Sequence, residues 1–212
     1  MNNLKATNFV VFGLGRFGTS LVHNLVAQDV AVMVVDKDAE KINDIADRVD
    51  QAIIGDASDE DVLDKIGIGD FDVAIFAMGE EFEATIMAMM MAKEKGTKHV
   101  VVKALDPRQA QILTRLRADQ VVLPEVEMGE KIAKSLVNPN ILDVIDQANG
   151  IAISEMRPDS AWVNHTIGEA DIRQTAKVTI IAVIRNQQIM MPVTASLTIL
   201  ADDILIVIQN QA

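Results

Sequence analysis

Gly13, Gly15 and Gly18 in the stretch VVFGLGRFG, and Asp36 at the end of VAVMVVD, are the residues whose types and spacing point most directly to chemistry. An apolar run, Phe9–Phe12, leads into the glycine turn, and a helical pattern of Arg16, Phe17, Ser20 and Leu21 starts at once. In a strand, tight turn, helix succession the first glycine permits the turn. The second lets the backbone approach a pyrophosphate, and the third lets the helix pack closely on its strand. Phosphates would then face the unpaired N–H groups of the helix N-terminus. Asp36 lies 21 residues beyond Gly15, at the carboxyl end of the next apolar run, where a carboxylate accepts hydrogen bonds from ribose hydroxyls. The arrangement predicts a Rossmann-type adenine-nucleotide site; the plainer reading is a glycine turn required for packing alone.

Neighbouring residues carry two readings each. Arg16 sits in the first turn of a helix whose dipole disfavours a cation. It is either a surface residue or, as expected here, a phosphate ligand, for which a guanidinium offers bidentate pairing. In Gly55-Asp56-Ala57-Ser58, Asp56 either caps the next helix or binds near an adenine with Ala57 close by, and both roles are compatible. Glu125 is either an ordinary helix-N-terminal acid or part of a cation or phosphate site. Met87, Met89, Met90 and Met91 crowd one predicted helix and are expected to form a pliable core against the sheet.

An alternation of short apolar runs and helical patterns over residues 1–137 positions these side chains. The predicted strands are Asn8–Phe12, Val30–Val35, Ala52–Ile54, Val73–Ala77, Val100–Lys103 and Val121–Leu123. The predicted helices are Arg16–Ala27, Ala39–Val49, Glu60–Ile66, Glu81–Lys95 and Pro107–Leu116, with apolar residues three and four apart, as at Ile42, Ile45, Ala46 and Val49. Six strands alternating with five helices imply an α/β fold, a doubly wound parallel sheet covered on both faces. A sixth predicted helix, Glu125–Leu136, follows the last strand. Its stripe of Val126, Met128, Ile132, Ala133, Leu136 and Val137 has no partner within one six-stranded layer, so a second chain is expected to cover it.

Residues 138–149 read as a connector, in which Asn138, Pro139, Asn140 and Asn149–Gly150 are breakers flanking an amphipathic stretch, Ile141–Gln147. Residues 150–212 are expected to form a small α+β unit. It comprises Ile151–Met156, a helix-like TIGEADIRQTA, Val178–Ile184, Gln188–Met191 and Ile204–Ile208, with a hairpin turn at Arg185–Asn186. Such a unit is barely large enough for its own core.

Composition excludes several classes. The formal net charge is −12, which repels nucleic acid and anionic lipid at long range. The absence of cysteine excludes disulfide and thiol chemistry and fits a cytoplasmic protein. No apolar stretch reaches the length of a membrane-spanning helix, and MNNLKATN lacks the basic-then-apolar layout of a secretion signal. Tyrosine is absent, which excludes the Tyr-Lys pair of short-chain dehydrogenases, and His23, His99 and His165 sit in unrelated contexts. Neither a Cys/His metal spacing nor a nucleophile elbow is present. A hydride-transfer enzyme needs proton-moving groups beyond its cofactor, so the nucleotide is expected to be a regulatory ligand rather than a reactant.

Several motifs together resemble a known family: GLGRFG at Gly13–Gly18, VVD ending at Asp36, IIGDAS at Ile53–Ser58, AMGEE at Ala77–Glu81, VVKA at Val101–Ala104 and VLPEVEMGEKIA at Val122–Ala133. The chain resembles the RCK (KTN) cytosolic regulators of bacterial potassium transport, the KtrA/TrkA family, in the half-size form with one N-domain and one C-domain. The resemblance implies a nucleotide site at Gly13, Gly15, Arg16, Phe17, Gly18, Asp36, Asp56, Ala57, Met78, Gly79, Lys103 and Glu125, with no catalytic residue. It implies an N-domain that dimerises by swapping its last helix, and four dimers forming an octameric ring under a membrane-embedded potassium-translocating subunit. The ring would lie in the cytoplasm at the inner face of the membrane.

ATP would favour conduction and ADP oppose it. Arg16 would reach across the dimer to the γ-phosphate, and Glu125 would help hold Mg²⁺ or Ca²⁺ between nucleotides. In some members the C-domain binds cyclic di-AMP, at positions matching Ile167, Arg173 and Pro192. The residues themselves leave two alternatives open. One is a small NAD(H)-dependent oxidoreductase or NAD sensor, because ATP, ADP and NAD all offer adenosine ribose hydroxyls to Asp36. The other is a structural ring subunit whose nucleotide never exchanges. Arg16 favours a chain of phosphates ending in a charged terminus.

Overall fold

A computed structural model describes residues 7–79, 81–137, 141–148 and 151–210. The breakers Asn138, Pro139, Asn140 and Asn149–Gly150 lie outside the described residues, as does most of MNNLKATN. The chain divides into two compact units, Met1–Val126 and Glu127–Ala212.

In the first unit six parallel strands, β1 (Asn8–Phe12), β2 (Ala31–Asp36), β3 (Gln51–Ile54), β4 (Val73–Phe76), β5 (His99–Lys103) and β6 (Gln120–Val122), stand in the order β3-β2-β1-β4-β5-β6. The doubly wound parallel sheet expected from the sequence is the observed one. Val10, Val11 and Phe12 of β1 are all fully buried, which explains why the strand reads as a continuous apolar run. Phe12 stacks on Phe76 of β4 with ring centroids 4.8 Å apart. The winding direction reverses between β1 and β4, and at such a switch point the carboxyl ends of the strands leave a crevice.

Six helices connect or follow these strands: α1 (Arg16–Val26), α2 (Ala39–Ile45), α3 (Glu60–Lys65), α4 (Phe82–Lys95), α5 (Pro107–Arg115) and α6 (Pro124–Val137). Asp38, Asp59 and Asp106 cap α2, α3 and α5 by accepting bonds from the backbone N–H groups of Glu40, Asp61, and Arg108 with Gln109. The cap of α3 is therefore Asp59 rather than Asp56, which corrects the capping alternative. Asp56 instead closes its own turn, with Oδ1 accepting from Ser58 N–H at 2.8 Å and from Ser58 Oγ at 2.7 Å. The methionine-rich α4 also departs from expectation. Met89 is fully buried and Met91 packs on the core, whereas Met87 and Met90 are exposed.

The second unit contains a sheet in the order β10-β9-β11-β8-β7, antiparallel throughout. Its strands are β7 (Ile141–Ala148), β8 (Ile151–Met156), β9 (Val178–Arg185), β10 (Gln188–Met190) and β11 (Ile204–Asn210). The stretch expected to be a connector is thus largely a strand, because Ile141–Ala148 takes ladder bonds from β8. The helix expected over TIGEADIRQTA shrinks to α7 (Ile172–Thr175). Thr166 and Glu169 bond each other's backbone N–H groups, and Asp171 adopts φ 42°, so the segment before α7 follows turns. The hairpin turn falls one residue later than expected, on Asn186 (φ 51°) and Gln187 (φ 63°), the doubly left-handed geometry that suits two-residue hairpins.

Candidate nucleotide-binding site

The three motif glycines answer three different demands. Gly13 has φ +91°, and a Cβ there would lie 2.8 Å from Met78 Cγ and 3.3 Å from the Ala77 carbonyl carbon. A Cβ on Gly18 would fall 1.9 Å from the Gly13 carbonyl oxygen, so this position sets how closely α1 approaches β1. Gly15 is extended, at φ −75° and ψ −177°, and a Cβ built on it meets no heavy atom within 4 Å. Nothing inside the protein requires glycine there; the space in front of the backbone is what a side chain would occupy. Gly15 is also the N-cap of α1, which has no side-chain cap and no acid in its first turn. Three other helices of this unit begin on an aspartate cap; α1 presents bare N–H groups and a dipole suited to an anion.

Asp36, at the carboxyl end of β2, is buried. Its Oδ2 accepts the Leu14 N–H at 2.5 Å and its Oδ1 accepts the Asp38 N–H at 2.9 Å. The Lys41 ammonium lies 3.8 Å from Oδ2. An ionised carboxylate offers about four lone-pair sites, so two remain for ribose hydroxyls. The same group braces the glycine loop and faces the ligand space.

These elements open into a cleft of about 450 Å³ at the carboxyl ends of the parallel strands. It is lined by Gly13, Gly15, Arg16, Phe17, Asp36, Asp56, Ala57, Met78, Gly79, Lys103 and Glu125, while Gly18 lies beneath the loop. Lys103 is largely buried; its ammonium donates to Glu125 Oε1 at 2.6 Å and stands 5.7 Å from the centre of the Phe17 ring. That hydrogen bond is the main cause holding the Glu125 carboxyl below its ordinary range, with burial opposing it. Ser58, through its hydroxyl and backbone N–H, lowers Asp56 likewise. Both acids are anionic at neutral pH.

At the expected Mg²⁺ or Ca²⁺ position, the Glu125 carboxylate is already paired with Lys103. Among the described residues, no three His, Cys, Asp or Glu side chains gather as a metal site.

Lys37, Lys41, Glu81 and Leu105 also line the cleft and were not singled out from the sequence. Lys37 and Glu81 form an ion pair between the end of β2 and the start of α4. Two signals were available: Lys37 directly follows Asp36, and Glu81 is the last residue of AMGEE.

Residues 9–124 match the TrkA-N domain and residues 151–212 match the TrkA-C domain. The chain belongs to the TrkA-N/TrkA-C family. It is 36% identical over 200 residues to Ktr system potassium uptake protein C of Bacillus subtilis (strain 168), covering 94% of this chain and 90% of that protein. It is 30% identical over 203 residues to Ktr system potassium uptake protein A of Vibrio alginolyticus, covering 96% and 92%. Among solved structures, the GsuK channel bound to NAD shares the fold, with a TM-score of 0.65 at 15% identity over all of this chain and 38% of that one. The family membership read from the motifs, with one N and one C domain, holds.

Within this TrkA-family chain the TrkA-N match ends at Pro124, so nearly all of α6 falls between the two matched regions. In the TrkA-C domain, Ile167 packs on a core of Ile172, Val178, Val183, Ile199, Leu205 and Val207. Arg173 is exposed on α7, its Nε 3.4 Å from Thr179 Oγ1, and Pro192 is exposed just after β10. Arg185 makes a two-pronged bond to the buried Asp203, with Nε to Oδ1 and Nη2 to Oδ2 both at 2.7 Å.

Proposed function

We propose that this chain is a nucleotide-sensing regulatory subunit of a potassium-uptake system, and that it gates a membrane-embedded potassium-translocating subunit, ATP activating and ADP inactivating. The observation that carries the reading is the uncapped N-terminus of α1, fronted by open space at Gly15 and backed by Asp36. The transport assignment is supported by similarity to two potassium uptake proteins over more than nine-tenths of this chain. Asp36 holds the ribose, and Asp56 and Ala57 lie beside the adenine. Met78 and Gly79 form the opposite wall, and Arg16 meets the terminal phosphate. A γ-phosphate adds negative charge near Glu125; Lys103, or Mg²⁺ or Ca²⁺ shared with a carboxylate of another copy, neutralises it.

The gating step requires differential affinity, because a ligand that binds two states equally shifts neither. The geometry between copies is what differs. Met128, Ile132, Leu136 and Val137 of α6 are each more than half exposed, which supports an obligate dimer built on that helix. Four such dimers form an octameric ring at the cytoplasmic face of the membrane, and cyclic di-AMP binds the TrkA-C unit at Ile167, Arg173 and Pro192. Among the described residues that line the cleft there is no histidine, cysteine or tyrosine, which favours binding over catalysis.

Thermal unfolding with ATP, ADP, NAD, NADH and cyclic di-AMP side by side tests the ligand. A ligand at 100-fold its dissociation constant raises stability by about 2.7 kcal/mol. Stabilisation by NADH alone would replace this reading with the NAD(H)-dependent one. Potassium flux in vesicles carrying the cognate translocating subunit tests gating, and equal flux with ATP and ADP refutes it.

A further inference from the structure

A nucleotide in the proposed site enters and leaves through the crevice at the switch point, which separates β1–β3 from β4–β6. Neighbouring strands lie about 4.8 Å apart, so the ends of β2 and β4, on either side of β1, stand roughly 10 Å from each other. Val35 and Ala57, 1% and 4% exposed, form the floor of the cleft. The side chains of Lys37 and Glu81, 62% and 43% exposed, stand at its mouth. Lys37 follows β2 and Glu81 precedes α4, yet their side chains are joined in an ion pair. The pair therefore reaches from one half of the sheet to the other, past the end of β1 and its glycine turn.

Both stems of the pair are held. Asp36 Oδ1 accepts the Asp38 N–H at 2.9 Å, which fixes the turn carrying Lys37. The Glu81 N–H donates to the Met78 carbonyl at 2.9 Å, and that carbonyl also accepts the buried Thr85 hydroxyl at 3.2 Å. The Glu81 side chain makes no capping bond to α4. The stems are fixed and the charged tips can part. The bond to Glu81, and then the charge of that carboxylate, raises the Lys37 ammonium above the ordinary lysine range, so the pair is intact at neutral pH. An exposed pair of this kind shifts an equilibrium by no more than about fivefold. That adds little to the fold and is enough to slow passage through the mouth.

We propose that the Lys37–Glu81 pair is a latch across the mouth of the cleft, which parts to admit or release a nucleotide and closes again behind it. It acts on exchange rather than on affinity, because a closed mouth hinders entry and exit alike. The proposal rests on the nucleotide-binding reading above and adds to it a control of exchange.

Association and dissociation rates of ATP and ADP are measured by surface plasmon resonance on the full chain, wild type and variants. Lys37→Met and Glu81→Gln should each raise both rates by about three- to fivefold and keep their ratio within about twofold of wild type. The gap between wild type and variants should close as KCl is raised, since salt screens exposed charges. The chain contains no cysteine, so K37C/E81C can be joined by a short bis-methanethiosulfonate linker and released by a reductant. Stapled with ATP bound, it should retain ATP through desalting and release it on reduction; stapled empty, it should take up none. Unchanged rates in both single variants, a change confined to dissociation, or free exchange in the stapled protein would overturn the latch while leaving nucleotide binding intact. Failure of wild type to bind ATP, ADP, NAD or NADH would overturn the binding reading itself, and the latch with it.

Discussion

Gly15→Ala separates what the fold requires from what the ligand requires. The backbone at Gly15 is extended and a Cβ there meets nothing within 4 Å, so the substitution creates no clash. Two small terms remain, and they oppose each other. Replacing glycine by alanine in a compatible conformation stabilises by about 0.4–1 kcal/mol through the unfolded chain. Alanine is a poorer N-cap than glycine, and cap losses run to about 1 kcal/mol. The ligand-free protein should therefore melt within about 2 °C of wild type, given roughly 2–4 °C per kcal/mol for a chain of this size. The ligand response should collapse, because a methyl group then occupies the space where phosphate approaches the α1 N–H groups.

Gly18→Ala is the internal control. Its Cβ would stand 1.9 Å from the Gly13 carbonyl oxygen, a backbone atom that cannot step aside alone. Overpacking of that kind costs about 3 kcal/mol, a fall of roughly 6–12 °C before any ligand is added. Thermal unfolding with and without saturating ATP reads both effects on one instrument. A Gly15→Ala protein that melts as low as Gly18→Ala, or that keeps the full ATP shift, would refute phosphate approach at Gly15.

Other residues give sharper versions of the same separation. Asp36→Ala should lose the nucleotide shift and also lower ligand-free stability by about 1–3 kcal/mol, because the buried Leu14 N–H loses its acceptor; an unchanged ligand-free midpoint would argue against the brace. Arg16→Ala should reduce the ATP response far more than the ADP response, and equal losses in titrations of both would confine Arg16 to the phosphates they share. In the second unit burial pushes the Asp203 carboxyl up, but bonds from Arg185 and the Leu200 N–H outweigh it and hold it below the ordinary aspartate range. The stability it contributes is therefore present above about pH 4 and is lost as pH falls through the depressed folded value. Asp203→Asn should flatten that acid limb and cost about 3 kcal/mol at pH 7. Fluorescence of Trp162, the only tryptophan, which packs on the same core, follows it. An acid limb identical to wild type would refute the assignment.

The centre of the first sheet was legible because β1, β2 and β4 are largely buried and read as unbroken apolar runs, as Val10–Phe12 does. The proposed phosphate and ribose ends of the cleft were legible because one turn and one strand end carry them. The pairing of Lys37 with Glu81 was not, since it joins residues on separate elements through tertiary structure. The β7 strand was hidden because breaker residues flank it in sequence and its eight residues are too few for their apolar spacing to decide between a connector and a strand. The helix expected over TIGEADIRQTA is cut short because side-chain oxygens of Thr166 and Glu169 compete for backbone N–H groups that periodicity assigns to a helix. Methionine spacing on α4 likewise hid which side faces the sheet, and Met87 and Met90 face away from it.

The bond from the Leu14 N–H to Asp36 ties loop shape to the proposed ribose subsite. Redesign of this cleft to accept a 2′-phosphorylated ribose would ordinarily begin by replacing the strand-end carboxylate with a neutral or cationic side chain. Here that exchange also removes the acceptor that holds the turn preceding α1, so the cradle for the pyrophosphate loosens as the ribose subsite changes. A working conversion needs a second substitution that returns an acceptor to the Leu14 N–H. On the proposed nucleotide reading, cofactor preference becomes a two-residue trait, and single-site swaps at position 36 should yield weak binders of every nucleotide rather than binders of a new one.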